Sequence, residues 1–198
     1  MSRKVKILLG VLIPIVVIAG GLGGFALWNY WPAVWSSAPP EMAFSIEDPD
    51  VIHILGGFRE ETHNGIDYGC NTSVNVLAWC KLRVTGIRTW FNERGGHWQT
   101  NVHLQYNWKY NFEICFEPWA LNETYGNIQA DAIAVKVGQI INQGEIIGLL
   151  LYQGSGTHIH FGMKENGNSI CPYQFLNTEA KELFDTLWAI YGDGDICD

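Results

Sequence analysis

Residues 154–161 of the chain are Gly154-Ser155-Gly156-Thr157-His158-Ile159-His160-Phe161, a glycine-rich turn followed by alternating polar and apolar side chains. Successive side chains of a β-strand point to opposite faces. His158 and His160 therefore share one face, while Ile159 and Phe161 point to the other. The pattern predicts a strand that turns its apolar face to a core and presents two imidazoles on its other face. Two imidazoles so placed suit one metal ligand and one proton-transfer group.

Short β-rich runs of the same kind, separated by glycine and asparagine, fill most of the chain after residue 51. They predict a mainly β domain, an antiparallel sheet or sandwich. Apolar side chains recur at helical spacing only over residues 183–191, with Asn177 or Thr178 as N-cap and Gly192 as the stop, which predicts one C-terminal amphipathic helix. The predicted strands are residues 74–79, 82–90, 98–106, 111–116, 132–137, 145–152 and 157–163.

The N-terminal region has the features of a membrane anchor. Residues 7–28 contain no charged side chain, and about 20 apolar residues can cross a bilayer as a helix. Three basic residues precede this run and the next charge is Glu41, so the positive-inside rule predicts an extracytoplasmic C-terminal domain at the cell membrane. We expect a single-pass anchor over residues 1–35, a stalk over 36–50 and a folded domain over 51–198. A cleaved signal sequence is the alternative, although the apolar run exceeds the usual length of about 7–15 residues.

The composition narrows the classes of partner. Hydrophobic residues make up 47% of the chain, which excludes a disordered protein, and the formal net charge is −8 at pH 7. Such a surface repels phosphate backbones, so nucleic acid is not expected as a partner. Five cysteines follow the apolar run, where disulfides can persist. Their pairing is open, and Cys171 with Cys197 is one pairing that would hold down the C-terminal tail.

A second motif offers a carboxylate together with an imidazole. It is Thr62-His63-Asn64-Gly65-Ile66-Asp67-Tyr68, in which Gly65 lets the backbone turn tightly. Two histidines and one carboxylate leave the fourth tetrahedral position of a metal open for water, as is typical of catalytic zinc. Either motif alone is more often incidental than functional. Together they predict a divalent-metal site, with zinc as the cofactor, built from His63, Asp67 and His160.

The two motifs resemble those of the lysostaphin/LytM-like zinc metallopeptidases, which are peptidoglycan endopeptidases with a duplicated-hybrid-motif fold. The resemblance covers roughly residues 62–175. Residues 63–68 are similar to the family's first motif, residues 157–161 to its last motif, and residues 135–148 to a turn-and-strand signature between them. The resemblance implies the same three zinc ligands and makes His158 the catalytic histidine. It also implies hydrolysis by metal-activated water of a peptide or glycopeptide substrate in the cell envelope.

The sequence departs from this family at one position. Members usually carry a further histidine in a strand between the two motifs, whereas this chain has no histidine between His103 and His158. Glu117 stands at the nearest equivalent position, followed by an insertion over residues 119–130. A glutamate can act as a base or a hydrogen-bond acceptor, but it could not donate a proton to an oxyanion as an imidazolium would. The alternative to a peptidase is therefore a catalytically degenerate member that serves as a binding module or as a regulator of envelope enzymes.

Two further readings are weaker. His97 and His103 are interpreted as exposed or strand-filling residues rather than as site residues. The glycine-bounded turns near residues 135–148 also occur in biotinyl- or lipoyl-type carrier domains, but such a domain needs an exposed lysine at a hairpin tip. Lys136 lies inside a predicted strand, which argues against a carrier.

Overall fold

The structure is a computed structural model that describes residues 36–198. The predicted membrane anchor, residues 1–35, lies outside the described residues. Among the residues that are described, no helix is both long enough and apolar enough to cross a membrane.

Antiparallel strands are the main secondary structure of the described domain, which confirms the mainly β prediction. They are β1 (Ile52–Gly56), β2 (Gly65–Cys70), β3 (Val74–Leu77), β4 (Leu82–Asn92), β5 (His97–Gln105), β6 (Tyr110–Ala120), β7 (Ile140–Ile141), β8 (Ile146–Leu150), β9 (His158–Glu165) and β10 (Asn168–Ile170). The main sheet has the order β1-β2-β9-β6-β5-β4-β7, and β10 pairs with the edge of β9. Strands β3 and β8 form a separate two-stranded sheet.

The predicted C-terminal helix is present as α2 (Thr178–Tyr191), with α1 (Glu123–Asp131) preceding it in the chain. The Asn177 side chain accepts a hydrogen bond from the backbone of Ala180, so Asn177 is the N-cap, and Gly192 ends the helix. Helix α1 lies in the predicted insertion and was not expected. Its few buried residues leave no apolar stripe that the sequence could have revealed.

Two segments differ from the sequence prediction. Residues 132–137 do not form a strand, because only Ile133 makes an isolated bridge, to Gly148, and the strand that pairs with β4 comes later, at Ile140–Ile141. The predicted stalk, residues 36–50, packs in part against the domain, since Met42 and Ile46 are fully or almost fully buried. The packed region therefore begins before residue 51.

The core lies on one face of the main sheet, and the polar face opposite carries the candidate site. Ile159 and Phe161 are buried as the alternating pattern predicted. Phe161 packs edge-on against Trp79, with ring centroids 4.5 Å apart. This packing fixes β9 against the core and leaves the alternate side chains, His158 and His160, on the opposite face.

Candidate active site

The pairing register of three strands determines which side chains meet. Strand β9 lies between β2 and β6, so that Asp67 stands opposite His160 and Glu117 opposite His158. Directly opposed residues of an antiparallel pair share a face, with their Cβ atoms about 4.5–5.5 Å apart. Two carboxylates and two imidazoles therefore form a double row on the polar face of the sheet, with the Asp67–His160 pair beside the Glu117–His158 pair.

The three residues predicted as metal ligands come together at one end of this row. His63, Asp67 and His160 can each offer one ligand atom such that all three atoms lie within 4.8 Å of one another. His160 Nδ1 lies 2.8 Å from Asp67 Oδ1, and His63 Nε2 lies 3.0 Å from Asp67 Oδ2. The convergence matches the sequence prediction, and the assignment of these side chains as ligands stays a prediction.

The protonation of this group suits a divalent cation. His63 Nδ1 lies 2.6 Å from the Gly57 carbonyl oxygen, which can only accept, so Nδ1 carries the proton and Nε2 keeps its lone pair. That Nε2 is buried and lies 3.0 Å from Asp67 Oδ2. Burial alone would raise the pKa of Asp67, but its hydrogen bond with His160 and the adjacent His63 outweigh burial and hold that pKa well below its usual range. An ionised carboxylate beside an imidazole nitrogen with a free lone pair fits a dication.

Gly65 permits the close approach of β2 to β9 at this point. A Cβ at Gly65 would lie 2.6 Å from the Phe161 carbonyl oxygen and 2.7 Å from His160 Nε2, distances that real Cβ atoms essentially never show. The backbone at Gly65 is an ordinary strand rather than the tight turn expected from the sequence. The glycine is therefore needed for space beside a predicted ligand.

His158 lies next to the metal group and presents one nitrogen to the site. Its Nδ1 lies 2.7 Å from the Gly156 carbonyl oxygen, so Nδ1 carries the proton and Nε2 can accept one. His158 Nε2 is 3.4 Å from Glu117 Oε2 and 4.0 Å from Asp67 Oδ2. The structure thus brings Glu117 and His158, the two residues predicted as catalytic, into one contact.

His97 completes this row, and its interpretation as an exposed or strand-filling residue needs correction. It is only 2% exposed, and its Nε2 lies 2.6 Å from Glu117 Oε2. A sequence signal existed, because His97, Gln99, Asn101 and His103 are polar residues at every second position of β5 and so mark one face of the strand. His103 shares that face but lies six residues along the strand, beside Gly86, away from the metal group.

Cavities of about 300 Å³ lie on both sides of the metal group. The first is mainly polar and includes Asn101 and Glu113 among its lining residues, with His63 and His160 at one end. The second is more apolar, and Ile54 and Trp119 form part of its wall. An extended ligand could therefore lie across the site and meet a polar surface on one side and an apolar surface on the other.

Residues 61–172, which contain both motifs, match the model of Peptidase family M23. The chain belongs to this family. The resemblance seen in the two motifs is therefore confirmed, and the prediction of a metallopeptidase holds at the level of the M23 family. No curated protein matches the chain.

Two solved structures share this fold at a TM-score of 0.50 or above. A peptidase M23 protein from Pseudomonas aeruginosa is 16% identical over 80% of this chain and 60% of its own, with a TM-score of 0.51. Helicobacter pylori Csd3 is 19% identical over 74% of this chain and 38% of its own, with a TM-score of 0.50. The catalytic domain of the antimicrobial peptidase lysostaphin from Staphylococcus simulans is 20% identical over 61% of this chain and 86% of its own, with a TM-score of 0.40. This chain thus spans less than two thirds of the first two proteins, and identities of this size show the fold alone.

Proposed function

We propose that the domain is a zinc-dependent endopeptidase that hydrolyses a peptide bond in a cell-wall or cell-surface polymer. The observation that carries this proposal is the convergence of His63, Asp67 and His160 beside His158 in a domain of family M23. Two nitrogen donors and one oxygen donor leave a tetrahedral position open, as in catalytic zinc sites. Zinc held by these residues would supply Lewis acidity, polarising the scissile carbonyl and making water acidic enough to attack near neutral pH.

The shape of the site supports cleavage within a chain rather than at its end. Cavities continue the site on both sides of the metal group, so a substrate can extend in both directions from the scissile bond. The family resemblance makes the peptides of peptidoglycan the first substrates to test.

His158 would transfer the proton in this reaction. Its Nε2 carries the lone pair, so it can take a proton from the attacking water and deliver it to the leaving amine. The Glu117 carboxylate, 3.4 Å from the same nitrogen, would stabilise the imidazolium that forms in between.

The test is hydrolysis by the domain beginning at residue 36, which retains the packed segment around Met42. Purified peptidoglycan and short peptides with glycine-rich or D-amino-acid cross-links would be incubated with the domain, and new amino termini would be identified by mass spectrometry. We expect cleavage that a chelator abolishes and added zinc restores. A zinc-loaded, folded domain that releases no new amino terminus from any of these substrates would contradict the proposal.

The second candidate function is a binding module or regulator of another envelope enzyme. One observation favours it: Glu117 occupies the position opposite His158 where the family resemblance leads one to expect a second histidine. Losing a donor to the oxyanion typically costs about 10²- to 10³-fold in rate. This candidate predicts that the domain binds zinc and peptidoglycan fragments without cleaving them and changes the rate of a separate envelope hydrolase.

We also propose that residues 7–28 hold the domain at the outer face of the cell membrane, on the strength of their uncharged, apolar sequence. Full-length protein should stay with membranes after alkaline extraction, and protease added to intact cells should digest the domain. Recovery of the full-length chain in the soluble fraction would contradict the anchor.

A further inference from the structure

His97 and Glu117 form a buried pair behind the proton-transfer histidine. His97 is 2% and Glu117 8% exposed, and their closest atoms, Nε2 and Oε2, are 2.6 Å apart. Burying a carboxylate without a partner is strongly unfavourable, because the ion loses its hydration. His97 is thus the group that lets Glu117 lie charged at the base of the site.

Two neighbours, Trp119 and Gly95, hold the His97 ring in place. Trp119 stacks on it, with ring centroids 4.4 Å apart and planes 26° apart. Trp119 has φ 66°, a left-handed backbone conformation that is costly for a bulky residue and tends to persist at functional sites. At the ring edge that carries Cε1 and Nδ1, Gly95 is so close that a Cβ there would lie 2.4 Å from His97 Cε1. The imidazole therefore has little freedom to rotate away from Glu117.

We propose that His97 is a positioning residue of the active site, which donates its Nε2–H to Glu117 and holds that carboxylate against His158. His97 on β5 and Glu117 on β6 would then orient His158 and balance its charge. Strand β6 itself carries no histidine that could do so. His97 itself does not reach the cleft, so it acts through Glu117. The inference rests on the proposed peptidase function.

The electrostatics of Glu117 agree with this role. Burial would raise the pKa of Glu117, but the hydrogen bond with His97 and the charges of His158, His97 and His160 outweigh burial, so the pKa lies below its usual value. Cys115, two residues along β6, also lies close, and its thiol stays neutral because burial raises its pKa. These are the titratable groups that face Glu117 from β5, β6 and β9.

The direction of the pH effect follows from this balance. The carboxylate is needed in its ionised form, and a lowered pKa keeps it ionised to lower pH. Removing His97 leaves the burial in place and takes away the largest favourable contact, so the pKa of Glu117 rises. The acidic limb of the kcat/KM profile should then move to higher pH.

The kinetic test compares two substitutions of the same residue in the full-length, zinc-loaded protein. His97→Phe keeps a ring against Trp119 but has no donor, whereas His97→Gln keeps a donor. We expect His97→Phe to lower kcat/KM about 10- to 100-fold, the usual effect of losing an outer hydrogen-bond partner. The zinc content of His97→Phe should stay unchanged, and the acidic limb of its kcat/KM profile should move to higher pH. His97→Gln should keep most of the wild-type rate. His103→Phe, on the same face of β5 and away from the site, is the matched control and should behave as the wild type.

Histidine-selective ¹⁵N NMR on the zinc-free protein provides a readout that does not depend on activity. The pKa of His97 lies above its ordinary value of 6.5, because the hydrogen bond and charge of Glu117, together with the Gly95 backbone, outweigh the opposing effect of burial. We expect His97 to be protonated at Nε2 and to titrate above 6.5, and Glu117→Gln to lower that midpoint.

The two experiments distinguish a failure of the positioning role from a failure of the proposed peptidase function. A wild-type protein that cleaves substrate while His97→Phe keeps full rate and an unchanged pH profile would overturn the positioning role alone. A His97 midpoint that does not respond to Glu117→Gln would do the same. A wild-type protein without any peptidase activity would remove the proposed function and the role of His97 with it.

Discussion

The two halves of the candidate site are built in different ways. The metal half consists of His63, Asp67 and His160, whose side chains are 17–28% exposed. The proton-transfer half places His158 against Glu117, with His97 buried behind them. The first half comes from two short motifs on neighbouring strands, while the second draws one residue from each of three strands. The spacing of the metal ligands is thus visible in the linear sequence. The contacts of His158 with Glu117, and of Glu117 with His97, can be recognised only once the strand pairing is known.

The largest effect should follow from breaking the metal half. His160→Ala removes one of three donors, and we expect bound zinc to fall from about one equivalent to near zero and hydrolysis to be lost with it. Zinc would be measured by atomic emission on protein dialysed against buffered metal. His103→Ala, which removes an imidazole from the same sheet away from the site, is the control and should retain zinc. Full zinc occupancy in His160→Ala would refute the ligand assignment.

A substitution in the proton-transfer half should leave the metal half intact. His158→Ala removes the proton-transfer nitrogen but no donor, so zinc content should stay at the wild-type level. The rate should fall about 10²- to 10⁴-fold, the usual contribution of a positioned general acid or base. The measurement is kcat together with zinc stoichiometry on the same sample. If zinc and activity are lost in parallel, the division into two halves does not hold.

An intermediate effect is expected where β2 and β9 approach each other. Gly65→Ala forces a methyl group against His160 and the Phe161 carbonyl, so His160 must move. We expect zinc affinity to weaken about 10- to 100-fold, the range reported for disturbed support of a metal ligand. Competition with a fluorescent chelator would measure it.

Gly162 lies directly opposite Gly65 in the sheet and offers a matched control. A Cβ there would meet nothing closer than 3.5 Å, so Gly162→Ala should bind zinc nearly as the wild type does. Equal affinities for the two variants would mean that the approach of the strands does not set the position of His160.

Sequence patterns predicted what depends on local periodicity. The alternation in residues 157–161 predicted β9 and its buried face, and apolar spacing with Asn177 and Gly192 predicted α2 and both of its ends. The convergence of His63 with His160 was also foreseen, because each motif brings its own side chains to one face. In these cases neighbouring residues carry the whole signal.

Features that depend on tertiary pairing were missed. Strand β2 was not predicted, because glycine at two of its six positions lowers its strand propensity and its pairing with β9 stabilises it. Strand β1 was not predicted either, and it pairs only with β2 at the edge of the sheet. Helix α1 has little amphipathic character. His97 looked incidental because its partner, Glu117, lies 20 residues away on the adjacent strand. Only the register of β5 with β6 makes that pair recognisable.

The smallest effect on the site should come from the C-terminal tail, which supports the metal half from outside. The disulfide between Cys171 and Cys197 holds the tail, as the sequence suggested, and the other three cysteines are free thiols in the described region. The tail in turn hydrogen-bonds to Phe58 and Arg59, and the backbone of Arg59 bonds to that of His63. In the chain-entropy account, a disulfide that closes a loop of this size stabilises the folded state by about 3.5 kcal/mol.

Cys197→Ser should therefore lower the thermal midpoint clearly, weaken zinc binding less than Gly65→Ala does, and leave kcat at saturating zinc unchanged. The reason is that the tail braces the backbone before His63 but contacts none of the proton-transfer residues. Cys171→Ser and the double variant should give the same midpoint as Cys197→Ser, because all three break one bond. A fall in kcat at full zinc occupancy would show that the tail acts on the proton-transfer half as well. The tail would then support both halves of the site rather than the metal half alone.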